Sequence, residues 1–224
     1  IDNRVASLLA NDYIGELIPL GLEDVDNVEK LEEVYKREWK RLKMDDLVRE
    51  CISNCAVVRE SYIHIILEKN ASIGPNGKKS LGKMEAYSIE PARIFIDPSA
   101  RSLKRARYMF VTDRMSKEEI KEKYPILTNI ESAADTYNPA DRGEVYYDND
   151  YDTEQEDVRT VLTYYGKKKG KIKKVVIISG IIVDEKDMEF PIFPIAQIRW
   201  KKAAQSCYGL SLMDDVLSLQ KAVT

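Results

Sequence analysis

Histidine occurs once in this chain, at His64, and cysteine only three times, at Cys51, Cys55 and Cys207. With one histidine, no acidic pair in motif spacing and no nucleophile elbow, triad and common acid–base chemistry have little to stand on. A histidine-based zinc site is equally short of ligands. Three cysteines cannot staple 224 residues into a disulfide framework. Cys51 and Cys55, four apart, and the isolated Cys207 read as buried or half-buried free thiols in a reducing compartment. His64 sits between Ile63 and Ile65 in an apolar run, where a structural role fits better than a catalytic one. Long apolar runs are missing too. The longest, Val175–Val183, is broken by Ser179 and Gly180 and falls well short of the ~20 residues that span a bilayer. No signal-peptide pattern follows Ile1.

An excess of one charge is also absent. The chain has 35 basic and 38 acidic side chains, a net charge of −3. A protein that wraps duplex DNA non-specifically needs a Lys or Arg for each phosphate it meets, so the bulk of this surface is not a DNA clamp. The charges are partly segregated, however, and leave room for a surface flanking a DNA path. No Gly-rich phosphate loop is present, and neither a cofactor nor a metal is expected.

What the chain does have is a core. Apolar residues make up 44% and charged residues 33%, enough for one large or two small globular domains. Ile1–Leu9 reads as a short helix. Over Val25–Ala56 apolar side chains recur at helical spacing, with Asp24 or Asp26 as N-cap, which predicts one long helix with a solvated, charged outer face. From Val57 the period changes to two. Strands are expected at Tyr62–Leu67, Lys83–Ile89, Arg93–Ile96 and Arg107–Thr112, with a turn at Gly74-Pro75-Asn76-Gly77. Ser116 and Glu119 have capping-box spacing and open a helix that stops near Tyr124-Pro125. Periodicity is lost over 126–157. Further strands, Arg159–Tyr165 and Lys174–Ile178, flank Gly166-Lys167-Lys168-Lys169-Gly170, and Ile181–Val183 follows. Pro194–Trp200 is extended, and Leu212–Thr224 carries an apolar stripe at helical spacing. The fold class is therefore α+β, mostly antiparallel, because the connections are too short for parallel crossovers. Three segments follow from these patterns: a helical region over 1–56, a strand-rich region over 57–205 with an acidic insert at 141–157, and the start of a last helix over 206–224. The chain opens on Ile1 rather than Met, and no Gly, Asn or Pro caps its last turn, so it reads as a piece of something longer.

Two charged stretches resemble functional motifs. Asp148-Asn149-Asp150-Tyr151-Asp152 has the look of a calcium loop, but Thr153 stands where glycine is needed and Arg159 where a bidentate glutamate is needed. A solvated acidic loop is the reading for this tract, which holds eight acidic residues and one Arg between Asp141 and Asp157. The six lysines between 167 and 174 sit on a hairpin joining two strands. They leave three readings open: a solvated tip, a contact with nucleic acid, or a salt-sensitive contact with an acidic neighbour. The acidic tract lies just upstream, so pairing between copies of the chain is one form of the last reading.

Four segments taken in order resemble the portal protein of tailed bacteriophages. They are Ile89–Pro98, ending in Asp97-Pro98; Tyr108–Val111 followed by Met115–Ile120 and Tyr124-Pro125; the helical stretch Val28–Cys55 passing into Tyr62–Glu68; and Tyr208-Gly209-Leu210-Ser211 with Asp214-Asp215 and Gln220. The family's Asn after the Gln is not found near Val223–Thr224, and the acidic insert is not a family hallmark.

The resemblance implies a wing-type α+β domain that ends in the first turns of a stem helix, with clip, tunnel helix and crown lying beyond Thr224. It implies a structural subunit of the ring at the capsid vertex, not an enzyme, assembled in the host bacterial cytoplasm and carried in the virion. The implied partners are further copies in a ring, a dodecamer in the full-length protein, together with the terminase large subunit, neck or adaptor proteins, capsid proteins and the DNA that passes through. Lys201 and Lys202, leading into the stem, are the residues expected nearest the DNA. Tyr208, Leu212, Val216, Leu219 and Gln220 are expected at a subunit interface. Without the ring-closing helices this chain is expected to be monomeric or weakly associating. Two other readings from different classes are another ring-forming virion component, a neck adaptor or baseplate module, and an enzyme domain whose site lies outside this sequence.

Overall fold

A computed structural model of the chain describes residues 5, 15–19, 25–68, 82–125, 127, 158–188 and 190–223. The helices in chain order are α1 (Val25–Arg41), α2 (Met44–Val58), α3 (Lys117–Lys123) and α4 (Leu212–Val223). The strands are β1 (Glu60–Glu68), β2 (Lys83–Ile89), β3 (Ile94–Ile96), β4 (Tyr108–Ser116) and β5 (Val158–Lys168). They continue with β6 (Lys171–Ile178), β7 (Ile181–Met188), β8 (Ile195–Arg199), β9 (Lys201–Lys202) and β10 (Gly209–Leu210). Every strand pair among the described residues is antiparallel, which makes the class α+β. The chain divides into two compact units, one of residues 1–91 with 194–224 and one of residues 92–193.

In the first unit the long helix expected over Val25–Ala56 is two helices. The break is at Lys43, whose φ of 49° and ψ of 45° place it in the left-handed region. A non-glycine residue there interrupts the i→i−4 ladder and redirects the chain. Apolar spacing runs through the break, which is why periodicity alone misses it. Asp26 lies inside α1 and is not its cap, while Asp24 is outside the described residues. Glu32 and Lys36 pair across one turn at 2.8 Å on the solvated face, as the i,i+4 spacing predicts. Leu31 and Val34 of the α1 stripe nevertheless stay exposed. The stripe of α2 is the one that is covered. Met44 and Cys51 pack with Ile63 of β1, and Ile52 and Ala56 with Val5. Cys51, Cys55 and Cys207 are free and buried.

The sheet of this unit has the order β2-β1-β8. Tyr62, Ile63 and His64 are all buried, so β1 is covered on both faces. Such a central strand reads as a continuous apolar run rather than an alternation. His64 Nδ1 lies 2.9 Å from the Tyr87 hydroxyl on the neighbouring strand, the structural role expected of it. Strand β8 pairs with β1 only after the chain has returned from the second unit, with Tyr62 opposite Gln197. The turn expected at 74–77 lies outside the described residues.

The second unit is a five-stranded meander, β3-β4-β5-β6-β7. Ile120 of α3 packs on Val161, Val176 and Ile178. The capping box that opens α3 is present as predicted: the Glu119 amide donates to Ser116 Oγ at 3.2 Å and the Ser116 amide to Glu119 Oε2 at 2.8 Å. Asp97 closes β3. Its buried carboxylate accepts from Arg107 Nε (2.8 Å), the Ser99 hydroxyl (2.6 Å) and the Ser99 amide (3.0 Å), and these bonds, Arg107's foremost, hold it well below the usual carboxylate range. Two-residue turns, Lys169-Gly170 (φ 51° and 79°) and Ser179-Gly180 (φ 49° and 80°), join β5 to β6 and β6 to β7. Left-handed φ at both central residues matches the twist of a tight hairpin. The first tip is thus shorter than the five residues expected. Strand β7 also runs on to Met188, past the expected stop at Val183. The acidic tract 141–157 lies outside the described residues.

Candidate functional site at the start of the last helix

The residues picked out in the sequence converge on the junction where β8 leads through β9 and β10 into α4. Lys201 and Lys202 form β9 and are both exposed; they pair with Leu210 and Gly209 of β10. The structure therefore brings the lysines next to the Tyr208–Leu210 corner. Tyr208 is exposed, and its amide donates to Ser206 Oγ at 3.1 Å. Leu212 is half-buried, while Val216 and Gln220 are exposed. The Leu219 side chain lies outside the described positions.

What holds this junction joins Gly209, part of a segment read from the sequence, to Glu60 and Arg59, which no sequence pattern singled out. Gly209 has no room for a side chain: a Cβ there would lie 2.7 Å from the backbone oxygen of Arg59. Glycine is required because the corner passes against the backbone at the end of α2. The Gly209 amide donates to Glu60 Oε2 at 3.0 Å, and Gln197 Nε2 donates to the same oxygen at 3.1 Å. Gln197 Nε2 also reaches the Cys207 carbonyl at 2.9 Å, and Arg199 Nη1 reaches it at 3.3 Å. Glu60 at the start of β1, Gln197 and Arg199 on β8, and the 207–209 corner are thereby tied together, with Glu60, Cys207 and Gly209 buried and Gln197 and Arg199 half-buried.

The electrostatics follow from depth. Burial pushes the Glu60 carboxyl above its ordinary range, and the bonds from Gly209 and Gln197 offset some of that. Tyr62, fully buried beside Glu60, is raised by the same desolvation. Burial raises the Cys207 thiol and pushes the Cys55 thiol up to about 12, so both stay protonated and unreactive.

Nearer the surface, α4 begins with a second clamp. Ser211 Oγ accepts from the Asp214 amide at 3.0 Å, and Asp214 Oδ2 accepts from the Ser211 amide at 2.7 Å. This is a capping box with Asp in the third position. Arg59 then grips the same carboxylate with two nitrogens, Nε at 3.1 Å and Nη2 at 3.0 Å. The two bonds from Ser211 and the Arg59 pair hold Asp214 below the usual carboxylate range. Arg59 ends α2 with φ 82°, its amide bonded to the Cys55 carbonyl and its carbonyl accepting from the Trp200 amide. Thus the end of α2 sets the direction in which α4 leaves the sheet. The Ser211-x-x-Asp214 spacing was the one signal for this clamp present in the sequence. Met213, Val216 and Leu217 project from α4 into solvent.

Chemically the junction is a brace. Its donors and acceptors are satisfied by one another, and no group of three His, Cys, Asp or Glu among the described residues is arranged to hold a metal. It holds the start of α4 against the end of α2 and the edge of the sheet. The sequence model of the phage P22-like portal protein family matches residues 16–207, and the chain belongs to that family. It is accordingly a structural component of the phage virion, of the ring-forming class at the capsid vertex. A comparison with curated proteins found no match.

Proposed function

We propose that this chain is the wing of a portal subunit and the first turns of its stem, and that the ring it helps build is the conduit for DNA packaging and ejection. The family match over 16–207 carries the reading. In this assignment 1–56 and 57–205 make the wing, and 206–224 starts the stem. The brace supports it. A stem helix must leave the wing in the same direction in every copy for the helices to meet around one axis. Arg59, Glu60 and Asp214 supply such a fixed direction, and the exposed Met213, Val216 and Leu217 supply an apolar stripe for neighbouring copies. Tyr208, Leu212, Leu219 and Gln220 belong to the same proposed interface. The ring would be a dodecamer that receives the terminase large subunit, meets neck and capsid proteins, and assembles in the host cytoplasm.

The test is assembly and packaging by the full-length subunit that carries this chain. Native mass spectrometry should find a closed ring, and procapsids built with it should package DNA when terminase and ATP are supplied. A subunit that stays monomeric, or procapsids that package equally well without it, would overturn the reading.

A further inference from the structure

The five-stranded sheet of the second unit has two unlike faces. Val161, Val176 and Ile178 meet Ile120 of α3, and adjacent residues of a strand point to opposite faces. Tyr164, Gly166 and Lys168 of β5 therefore share the face turned away from α3. Residues directly opposite in register stand on the same face. Phe110 and Tyr108 of β4 join it opposite Tyr164 and Gly166. Val175, Lys173 and Lys171 of β6 join it opposite Tyr164, Gly166 and Lys168. A patch of aromatic rings thus passes into a patch of lysines along adjoining strands.

The rings are held as a platform. A Cβ at Gly166 would lie 2.7 Å from Tyr164 Cζ, so the Tyr164 ring lies along β5 in the space that glycine leaves. The Tyr108 ring is stacked beside it, with centroids 6.5 Å and planes 27° apart, and the Phe110 centroid is 5.2 Å from that of Tyr164. All three rings are half-buried rather than sealed in a core. Lys168 stands four positions beyond Tyr164 on β5, about 13 Å away. Lys168, Lys169 and Lys171 are exposed and have no ion pair among the described residues. Lys173 is paired with Glu185, and Lys186 lies 3.2 Å from Asp184. These five lysines line a shallow groove whose acids, Glu185 and Asp187, both come from β7.

We propose that this face binds single-stranded nucleic acid, with unpaired bases stacked on Tyr108 and Tyr164 and the adjoining phosphates on Lys168, Lys169 and Lys171. The three lysines select an anionic occupant, and the half-open rings select one with flat apolar faces. A single strand alternates the two along its length. A duplex does not, because its base faces are already stacked on one another. Stacking on aromatic rings tolerates every base, so binding is expected to be nearly independent of sequence. Lys201 and Lys202 belong to the first unit and are not part of this surface.

The probes are a labelled oligothymidylate of about 12 residues, the matching oligouridylate and a duplex of the same length, titrated by anisotropy into the purified chain at about 50 mM salt. Binding of either single strand supports the proposal, and the ratio of the two affinities assigns the sugar. Tyr164→Leu keeps an apolar side chain but removes the ring, and should weaken single-strand binding at least about fivefold with the salt slope unchanged. Duplex binding should not respond to it. Alanine at Lys168, Lys169 and Lys171 together should lower the single-strand salt slope by up to about 2, roughly 0.7 for each phosphate that a removed lysine had neutralised. Circular dichroism checks that both variants fold. Ultraviolet cross-linking of the parent to the oligothymidylate needs no variant, and the linked peptides should contain Tyr108 or Tyr164. No single-strand binding, cross-links confined to other segments, or equal loss of duplex and single-strand binding on Tyr164→Leu would overturn the proposal. So would self-association of the parent that Tyr164→Leu abolishes while single-strand binding is unchanged, which would give the face to a second copy of the chain.

Discussion

Arg59 and Asp214 stand 155 residues apart in the chain, yet two nitrogens of the arginine lie 3.1 and 3.0 Å from the two oxygens of the carboxylate. The pair joins the end of α2 to the first turn of α4. Removing either partner should therefore loosen α4 more than it unfolds the unit. Arg59→Ala removes an exposed pair and should cost about 0.2–1 kcal/mol. Asp214→Ala also removes the carboxylate half of the capping box and should cost about 0.5–2 kcal/mol. Amide exchange measured over 211–220 should accelerate in both variants while β1 stays protected. Equal acceleration in β1 and α4 would contradict a clamp local to the helix start.

The same carboxylate gives a pH dependence of known sign. Asp214 is held below its ordinary range by Ser211 and Arg59. Its contribution to stability is therefore present above the unfolded-state value, about 3.9, and is lost as pH falls through the lower folded value. Glu60 has the opposite sign. Burial raises its folded value, so its contribution is present below about 4.3 and is lost as pH rises through the raised folded value. Glu60→Gln should flatten the decline on the neutral side of pH 4.3, and Asp214→Asn should flatten the acid limb. Urea denaturation of the parent and the two variants from pH 3 to pH 8 measures both slopes. If Glu60→Gln changed only the acid limb, the assignment would be reversed.

Gly209 is the position where space decides. A Cβ there meets the Arg59 carbonyl oxygen, a backbone atom that cannot swing aside, and the Arg199 side chain at 3.3 Å. Gly209→Ala should cost about 1–3 kcal/mol through the shift it forces. The measurement is the denaturation midpoint. A neutral substitution would mean that the 207–209 corner relaxes freely and does not brace α4.

Much of this fold is written in local patterns. Lys83–Ile89 and the capping box at Ser116 and Glu119 are legible because period-two alternation and cap chemistry act within a few residues. The Asp97-Pro98 stop is legible for the same reason. The break at Lys43 is not, because the backbone reversal is imposed by packing of α2 on β1 while the apolar spacing continues across it. The brace is hidden for another reason. Glu60 and Gln197 look like ordinary polar residues until β8 returns to lie beside β1, 137 positions later in the pairing. The lysines and the Tyr208–Gln220 stretch could be named from the sequence as neighbours in the chain. That β9 and β10 pair and place them side by side could not.

The thiols give a prediction about chemistry that should not occur. Cys51, Cys55 and Cys207 are all buried, and burial raises each thiol. Only the thiolate attacks a disulfide reagent, so the native protein at pH 8 should react at a small fraction of the rate of a free cysteine. Three thiols should appear on adding denaturant. A fast-reacting equivalent in the native state would locate a thiol in an exposed, electropositive setting that the structure does not have.

The last prediction concerns DNA. If the ring is the proposed conduit, duplex must slide through it and strong phosphate binding at its wall would oppose that; a net charge of −3 is in keeping with a weakly interacting surface. Lys201 and Lys202 are exposed on β9, beside the corner that leads into α4, whereas Lys167 and Lys168 end β5 and Lys169 opens the following turn in the second unit. If the stem lines the channel, the first pair is nearer the DNA. Duplex binding should then be weak, independent of sequence and confined to low salt, because release of condensed counterions is what drives it. Lys201→Ala with Lys202→Ala should weaken it more than alanine at Lys167, Lys168 and Lys169. The salt slope should fall by up to about 2, roughly one for each phosphate that a removed lysine had neutralised. Anisotropy of a labelled duplex at several salt concentrations reads both quantities. A salt-resistant complex, or an equal loss from the hairpin variant, would place the DNA path elsewhere on the molecule.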